Sequence, residues 1–423
     1  MRIDHIALGF QKELAQANGG PRVLPNPPAA GAGDPHDHPD TLYPLPPLSS
    51  AWIDKLIFLG TGTSGQVPAI HCITHEDVDE RDGGFGANVT CAACADALKY
   101  GEASRNRRKC TSALVVGGKS KGKGKSAAHD DQLTILIDCG PTFYSSAIYC
   151  FPRYNLRRID AVLLTHAHAD ALLGLDHLRA WTIGHMVQKY VDVYLTQETM
   201  SVVENMFPYL VDRSKATGGG GVGALRWHII DPNKKFTIGR GTNTVDVMPL
   251  PVLHGFVNRK DPFAFVGFRI AELSYISDCH EIPDATSKLV EGSKVLVIDA
   301  LKWERHTSHF SIAQALQYSL SIRDLRLALL TDLTHMVEHW DLSAQLQDWE
   351  RGMRDAAALV LKRGELLQGR WWSPYWDENA SEYDRHLSLS RGPPPALPSG
   401  DIASVALPIF RVAYDEQAVI FER

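Results

Sequence analysis

The segment Thr165-His166-Ala167-His168-Ala169-Asp170 sets two imidazoles and a carboxylate at alternate positions, directly after the apolar run Ala161-Val162-Leu163-Leu164. Where a strand runs into a tight loop, alternate side chains can converge on one point. Two histidines with a carboxylate then make a ligand set for a first-row transition metal. Zinc is favoured by the imidazoles, and manganese or iron stays open because carboxylates serve them too. An ion of this kind lowers the pKa of its water and provides a nucleophile near neutral pH. Further histidines stand after apolar runs: His254 after Val252-Leu253, and His335 after Leu333-Thr334. His309, in His306-Thr307-Ser308-His309, has a side-chain type whose ordinary pKa of about 6.5 suits proton transfer to a leaving group.

A second cluster is built on thiols. Cys91-Ala92-Ala93-Cys94, with Cys72 upstream, has a spacing at which thiolates share one tetrahedral zinc; a reduced, partly buried set or a redox pair is the alternative. Cys110, Cys139, Cys150 and Cys279 read as packing residues. Arg105-Asn106-Arg107-Arg108-Lys109 is the densest cationic run outside a Lys-rich stretch near 117–131. Its guanidinium groups match phosphate bidentately, or simply face solvent. The Gly-rich Gly60–Gly65 turn has neither a P-loop ending nor dinucleotide spacing.

These groups need a scaffold that brings strand ends together. Short apolar runs predict strands at 55–59, 112–116, 134–137, 161–164, 191–195, 245–250, 264–270, 273–277, 295–298 and 327–330. Helices are expected over 171–187, 197–209, 310–320 and 342–362. Strands interleaved with helices indicate a layered α/β domain. Residues 18–50 are rich in Pro, Gly and Ala and lack either period, so 1–50 reads as a flexible arm in which His36 and His38 are solvated. One domain over 51–423 follows, with surface insertions near 117–131, 213–224 and 384–400.

Composition narrows the classes. The 423 residues, 44% hydrophobic and 22% charged, suit a globular protein and exclude a wholly disordered or fibrous one. A net charge of −6 argues against a general nucleic-acid binder, whose affinity rests on neutralising phosphates. Seven Cys, an odd number, point to reduced thiols or metal ligands rather than a disulfide framework. No apolar run reaches the ~18 residues of a membrane helix, and the N-terminus lacks a secretory pattern. A cytoplasmic location is expected, and a homodimer stays open.

The motifs FLGTGTSGQVP, RNRRKCTS, ILIDCG, THAHADALLGLDHLR, PLPVLHG, YISD, HTSHFS, LLTDLTHMVEH and VAYDEQAVIF recur in this order from about residue 55 to the end. Together they resemble the metallo-β-lactamase superfamily, with its T-H-x-H-x-D-H signature, and within it the PhnP-like phosphodiesterase branch; ribonuclease Z is similar at greater distance. The resemblance implies a four-layered αββα sandwich. It implies a first metal on His166, His168 and His254, a bridging Asp278, and a second metal on Asp170 and His335. Asp138 would support the His loop, and His309 would protonate the leaving group, with Asp170 also at the catalytic centre. It further implies a structural zinc on Cys72, Cys91, Cys94 and His339, and a phosphate role for Arg107 or Arg108.

One departure stands out: where the family has a His after the Asp, this chain has Ala171, which cannot bind a metal. Asp176 and His177 are the substitutes at hand. The expectation is two metals with an altered second site, or one tight and one weak. Hydrolysis of a small, cyclic or acyclic phosphodiester is implied. An RNA 3′-processing nuclease, a thioester or lactone hydrolase and a non-catalytic metal-binding protein are the alternatives.

Overall fold

The computed structural model describes residues 44–74, 89–118, 132–257, 261–363 and 407–422. Its strands are β1 (Ile53–Gly60), β2 (Ser112–Gly117), β3 (Leu133–Ile137), β4 (Ala161–Leu163), β5 (Val191–Leu195), β6 (Leu225–Ile229), β7 (Phe236–Arg240), β8 (Asn243–Val257), β9 (Asp261–Ile270), β10 (Leu273–Ile276), β11 (Val295–Asp299), β12 (Leu327–Thr331), β13 (Ile409–Val412) and β14 (Ala418–Ile420). They form two seven-stranded sheets, ordered β14-β1-β2-β3-β4-β5-β6 and β13-β12-β11-β10-β9-β8-β7. Both sheets follow one plan. Four antiparallel neighbours (β14 to β3; β7 to β10) lead into four parallel ones (β3 to β6; β10 to β13).

Alternation within the strands makes the layers. Leu56 and Phe58 of β1 share one core with Leu327 and Leu329 of β12, while Ile57 and Leu59, or Ala328 and Leu330, point the other way. A period of two is what a strand buried on both faces imposes. Helix α1 (Ala92–Tyr100) packs in a small cluster of its own with Val67 and Ala69, and the outer faces are covered by α2 (Phe143–Arg153), α3 (Gln197–Met206), α4 (Ile312–Ser321) and α5 (His339–Arg363). On the first sheet, α2 buries Phe143, Ala147 and Cys150, and α3 buries Met200 and Val203. On the second, α4 buries Ile312 and Ala315, and α5 buries Leu342 and Leu346. Ser311 and Gln314 start α4 with a reciprocal capping box. The result is the αββα sandwich, and the parallel strands of both sheets deliver their C-terminal ends to the edge where the histidine loop lies.

Several elements differ from expectation. The helix expected over 171–187 is a chain of short turns, Ala169–Leu172, Leu175–Leu178 and Arg179–Thr182. The loop after β3 takes its backbone groups: Cys139 N–H donates to Ala171 O, and Gly174 N–H donates to Cys139 O. Only glycine fits this approach, since a Cβ on Gly140 would fall 1.8 Å from Asp170 O and one on Gly174 would fall 2.1 Å from Gly140 O. The helix expected over 197–209 ends at Met206, and Pro208 opens a separate turn. Strands β6, β7, β13 and β14 are additional to those expected; they are short and, except for Ile238, Phe410, Arg411, Val412 and Val419, only partly covered.

Packing also begins before residue 51. Leu48 is buried, Ser50 Oγ donates to Glu272, and Arg411 donates to the Pro44 carbonyl. The arm is thus shorter at its C-terminal end than expected, while 1–43, with His36 and His38, lies outside the described residues. So do 119–131 and the 384–400 insertion. No described helix is long and apolar enough to cross a membrane.

Candidate metal centre

Strand β4 ends at Leu163, and the chain turns through Thr165 to present His166 and His168. From the facing sheet, β8 presents His254 through an irregularity in its pairing with β9 between Leu253 and Phe256. A bulge re-aims a side chain in this way. Gly255 takes a left-handed φ of 67°, and its N–H donates to His280 Nδ1 at 2.9 Å. His166, His168 and His254 each offer a ring nitrogen, all within 4.8 Å of one another.

The hydrogen bonds around these rings decide which nitrogen is free. Ser308 O can only accept, so His254 Nδ1 donates to it at 2.7 Å, and Nε2 keeps a lone pair. Thr165 Oγ1 donates to Asp138 Oδ2 at 2.8 Å and accepts from His166 Nδ1 at 2.9 Å. Thr165 N–H donates to the other Asp138 oxygen at 2.9 Å. His166 Nε2 is left buried with no partner. An unpaired buried polar atom costs about 1–3 kcal/mol, and a divalent ion at that lone pair removes the deficit. Burial pushes His166 well below the usual histidine range and His254 down to about 3, and it lowers His168. Neutral imidazoles are the form that ligates, so the three residues fit a zinc-type ion. Asp138 acts behind them, through Thr165; burial pushes its carboxyl up to about 8 against the two Thr165 bonds.

A second close group shares His254: with Asp278 and His309 it again brings ligand atoms within 4.8 Å. Asp278 follows β10 with a left-handed φ of 43°, and its N–H donates to Asp332 Oδ2 at 3.1 Å. Burial, then the Asp332 charge, drives the Asp278 carboxyl well up. His309 Nδ1 donates to Asp299 Oδ2 at 2.8 Å and lies 3.9 Å from Asp278 Oδ1. Burial opposes charge on His309, but Asp299, Asp278 and Asp332 outweigh it and hold the imidazole up at about 10. Asp170 joins neither close group, although its charge acts on His168 and Asp278. Two Phe rings of β9 line the histidines: Phe265 edge-on to His166 at 4.8 Å, and Phe263 stacked on His168 at 5.4 Å.

Residue types and spacing alone assign no role to Asp299, His280 or Asp332. The signal for Asp299 was present: it ends an apolar strand as Asp138 does. His280 and Asp332 act through backbone geometry, which residue types do not announce.

Away from this centre, Cys72, Cys91, Cys94 and His335 bring three thiols and an imidazole within 4.8 Å. His335 Nδ1 lies 3.4 Å from Cys72 Sγ and 3.5 Å from Cys91 Sγ, and Ala69 N–H donates to Cys94 Sγ at 3.3 Å. Hydrogen bonding from Cys94, and then from His335, drives Cys91 down to about 4 against the opposing effect of burial. Three sulfurs and one nitrogen are a tetrahedral structural-zinc set.

This grouping corrects several assignments. His335 sits with the thiols and not with Asp170 and Asp278. His339, expected among the thiols, is buried at the start of α5 with its ring against Trp340 and Tyr414 and its N–H on Asn106. Arg108 is fully buried and donates to the carbonyls of Thr334 and Val337, while Arg107 pairs with Glu102 at 3.0 Å. Neither guanidinium faces the histidines as a phosphate cradle; Arg108 instead pins the loop that carries His335. Asp176 pairs with Arg179 at 3.7 Å and His177 packs on Tyr144, so neither replaces the ligand missing at Ala171.

Comparison with known proteins agrees with this architecture. Residues 134–336 match the family model described as a beta-lactamase superfamily domain. A curated relative, the octanoyltransferase of Porphyromonas gingivalis, is 26% identical over 265 residues; the match spans 62% of this chain and only 42% of that protein. Among solved structures, a diphosphatase from the PhnP family superposes with a TM-score of 0.53 at 20% identity, covering 87% of this chain and 98% of its own. Zinc-bound PqqB from Methylobacterium extorquens gives a TM-score of 0.48 at 17% identity, covering 86% and 99%. With its two mixed sheets and flanking helices, and with the histidine loop inside the segment 134–336 that is similar to the beta-lactamase superfamily domain, the chain has the metallo-β-lactamase fold.

Proposed function

We propose that this protein is a metal-dependent hydrolase of a small phosphodiester. The observation that carries the reading is the orphaned His166 Nε2 in a triad of neutral imidazoles, next to a proton-bearing His309. A divalent ion held by His166, His168 and His254 supplies Lewis acidity and a water of lowered pKa. Asp278 stands beside the ligands, ready to orient the attacking water. His309 gives its Nδ1–H to Asp299, which keeps the ring in place and charged, so the proton it can pass on is the one at Nε2, on a ring 4.9 Å from that of His254. A leaving oxygen that takes this proton departs as a neutral alcohol, an effect worth about 10²–10⁴ in rate. The diphosphatase named among the structural neighbours supports phosphorus rather than carbon as the reacting atom.

A second reading, hydrolysis of an acyl ester or thioester, is favoured by the octanoyltransferase relative and by the Phe263 and Phe265 rings, which suit an apolar chain. Metal-loaded protein assayed on bis(p-nitrophenyl) phosphate and on p-nitrophenyl octanoate separates the two. Turnover of the first, abolished in His166→Ala and lowered at least a hundredfold in His309→Ala, is expected. Turnover of the octanoate alone would replace the phosphodiester reading with the acyl one.

A further inference from the structure

We propose that the catalytic centre holds one divalent ion rather than two, because His335, which the resemblance assigns to a second ion there, instead completes a separate site with Cys72, Cys91 and Cys94. The proposal rests on the metal-hydrolase reading only for the position of the first ion.

Three observations converge. The first is that His335 is held where it is. Its Nδ1 lies within 3.5 Å of both Cys72 and Cys91, its own carbonyl accepts from Cys91 Sγ at 3.2 Å, and its ring meets His71 edge-on at 4.9 Å. Arg108 clamps the carbonyls on either side, at Thr334 (2.6 Å) and Val337 (2.8 Å). Turning the imidazole toward Asp278 would break its contacts with Cys72 and Cys91 and leave the thiol site one ligand short of a tetrahedral set.

The second is at Ala171, which offers no ligand atom and is buried. Its backbone is committed, the N–H donating to His168 O and the carbonyl accepting from Cys139. A shift that brought a neighbour into that place would break both bonds.

The third is His254. It belongs to both close groups, but its Nδ1 is spent on Ser308 O, which leaves a single lone pair. The two groups therefore compete for one nitrogen and cannot each hold an ion through it. Around Asp278, only His254 and His309 join it in a group whose ligand atoms all lie within 4.8 Å among the described residues; Asp170 and Asp332 belong to no such group. With His254 committed to the first ion, a second would be left with Asp278 and His309, fewer protein ligands than the three or four of an ordinary transition-metal site.

The test is metal content and cobalt spectroscopy on the full chain. Zinc-loaded wild type freed of excess metal should contain two ions per chain, and Cys91→Ser and His166→Ala one each. In cobalt-substituted protein, His335→Ala should weaken or shift the near-ultraviolet thiolate-to-cobalt charge-transfer band while leaving the visible bands of the imidazole centre unchanged. Should His335→Ala fail to fold, cobalt titration of wild type carries the decision: two stoichiometric phases, one with the charge-transfer band and one without, are expected. Three ions per chain, a third tight phase, or a His335→Ala variant that loses an ion with its charge-transfer band intact would overturn the proposal, as would a single ion bound wholly at the thiols. Absence of turnover in protein carrying two ions would sink the hydrolase reading and leave the metal count standing.

Discussion

Replacing Thr165 by Val keeps the shape of the side chain and removes the hydroxyl that links His166 to Asp138. In the native arrangement that oxygen accepts from His166 Nδ1 at 2.9 Å and donates to Asp138 at 2.8 Å. The variant loses both bonds, and Thr165 Oγ1 is the acceptor recorded for His166 Nδ1–H among the described residues. Second-sphere bonds of this kind are worth about 10–100-fold in metal affinity, or about 1.4–2.7 kcal/mol. The metal-free protein loses one bond to a buried carboxylate, and Asp138 still accepts from Thr165 N–H, so about 1–3 kcal/mol of stability should go as well. Competition with a chromophoric chelator measures the first quantity, and urea unfolding of the metal-free protein the second. Thr165→Ser, which restores the hydroxyl, should recover most of the affinity. A Thr165→Val protein that binds zinc within twofold of wild type would refute the tautomer argument, whatever its stability.

Other perturbations follow from the same geometry. Asp299→Asn removes the partner that holds His309 up at about 10; a raised pKa means the proton is kept at neutral pH and lost as pH climbs through that value. The alkaline limb of the pH–rate profile should therefore move to lower pH in the variant, and an unmoved limb would exclude His309 as the acid. Gly140→Ala puts a Cβ 1.8 Å from Asp170 O and should cost about 1–3 kcal/mol or more of stability, read from the urea midpoint, with weaker metal binding because the displaced turn carries the histidine loop. Arg108→Met should destabilise by several kcal/mol by uncapping the carbonyls of Thr334 and Val337, whereas Arg107→Met, at a partly exposed pair, should change stability by less than about 1 kcal/mol. Neither should alter KM for a phosphodiester beyond what the folded fraction explains.

Much of the centre was legible because its chemistry is local in sequence. His166, His168 and Asp170 sit at alternate positions after an apolar strand, and the thiols announce themselves by spacing. The grouping of residues far apart in the chain was harder. His335 and His339 are four residues apart, and which of them meets Cys72 depends on how Arg108 folds the loop between β12 and α5, a choice no spacing encodes. The Arg run was misleading for a related reason: guanidinium groups serve carbonyls as well as phosphates, and burial selects the role. Strands β6, β7, β13 and β14 escaped notice because short edge elements have weak alternation. The expected helix after Asp170 was lost to backbone competition from Cys139, which a reading of side-chain periodicity does not see.

The twin plan of the two sheets has a further consequence. The first sheet and its loops provide His166, His168 and Asp138, and the second provides His254, Asp278 and His309, so neither half owns a complete coordination sphere. An ion at the centre is thus a clasp across the seam of the sandwich, and it can bind only when the seam is closed. Binding then stabilises the docked form by about 2.7 kcal/mol at a hundredfold excess over Kd, and metal uptake becomes a direct measure of how well the halves are joined. Mutations buried deep between the sheets, far from any histidine, should loosen the clasp as surely as a lost ligand.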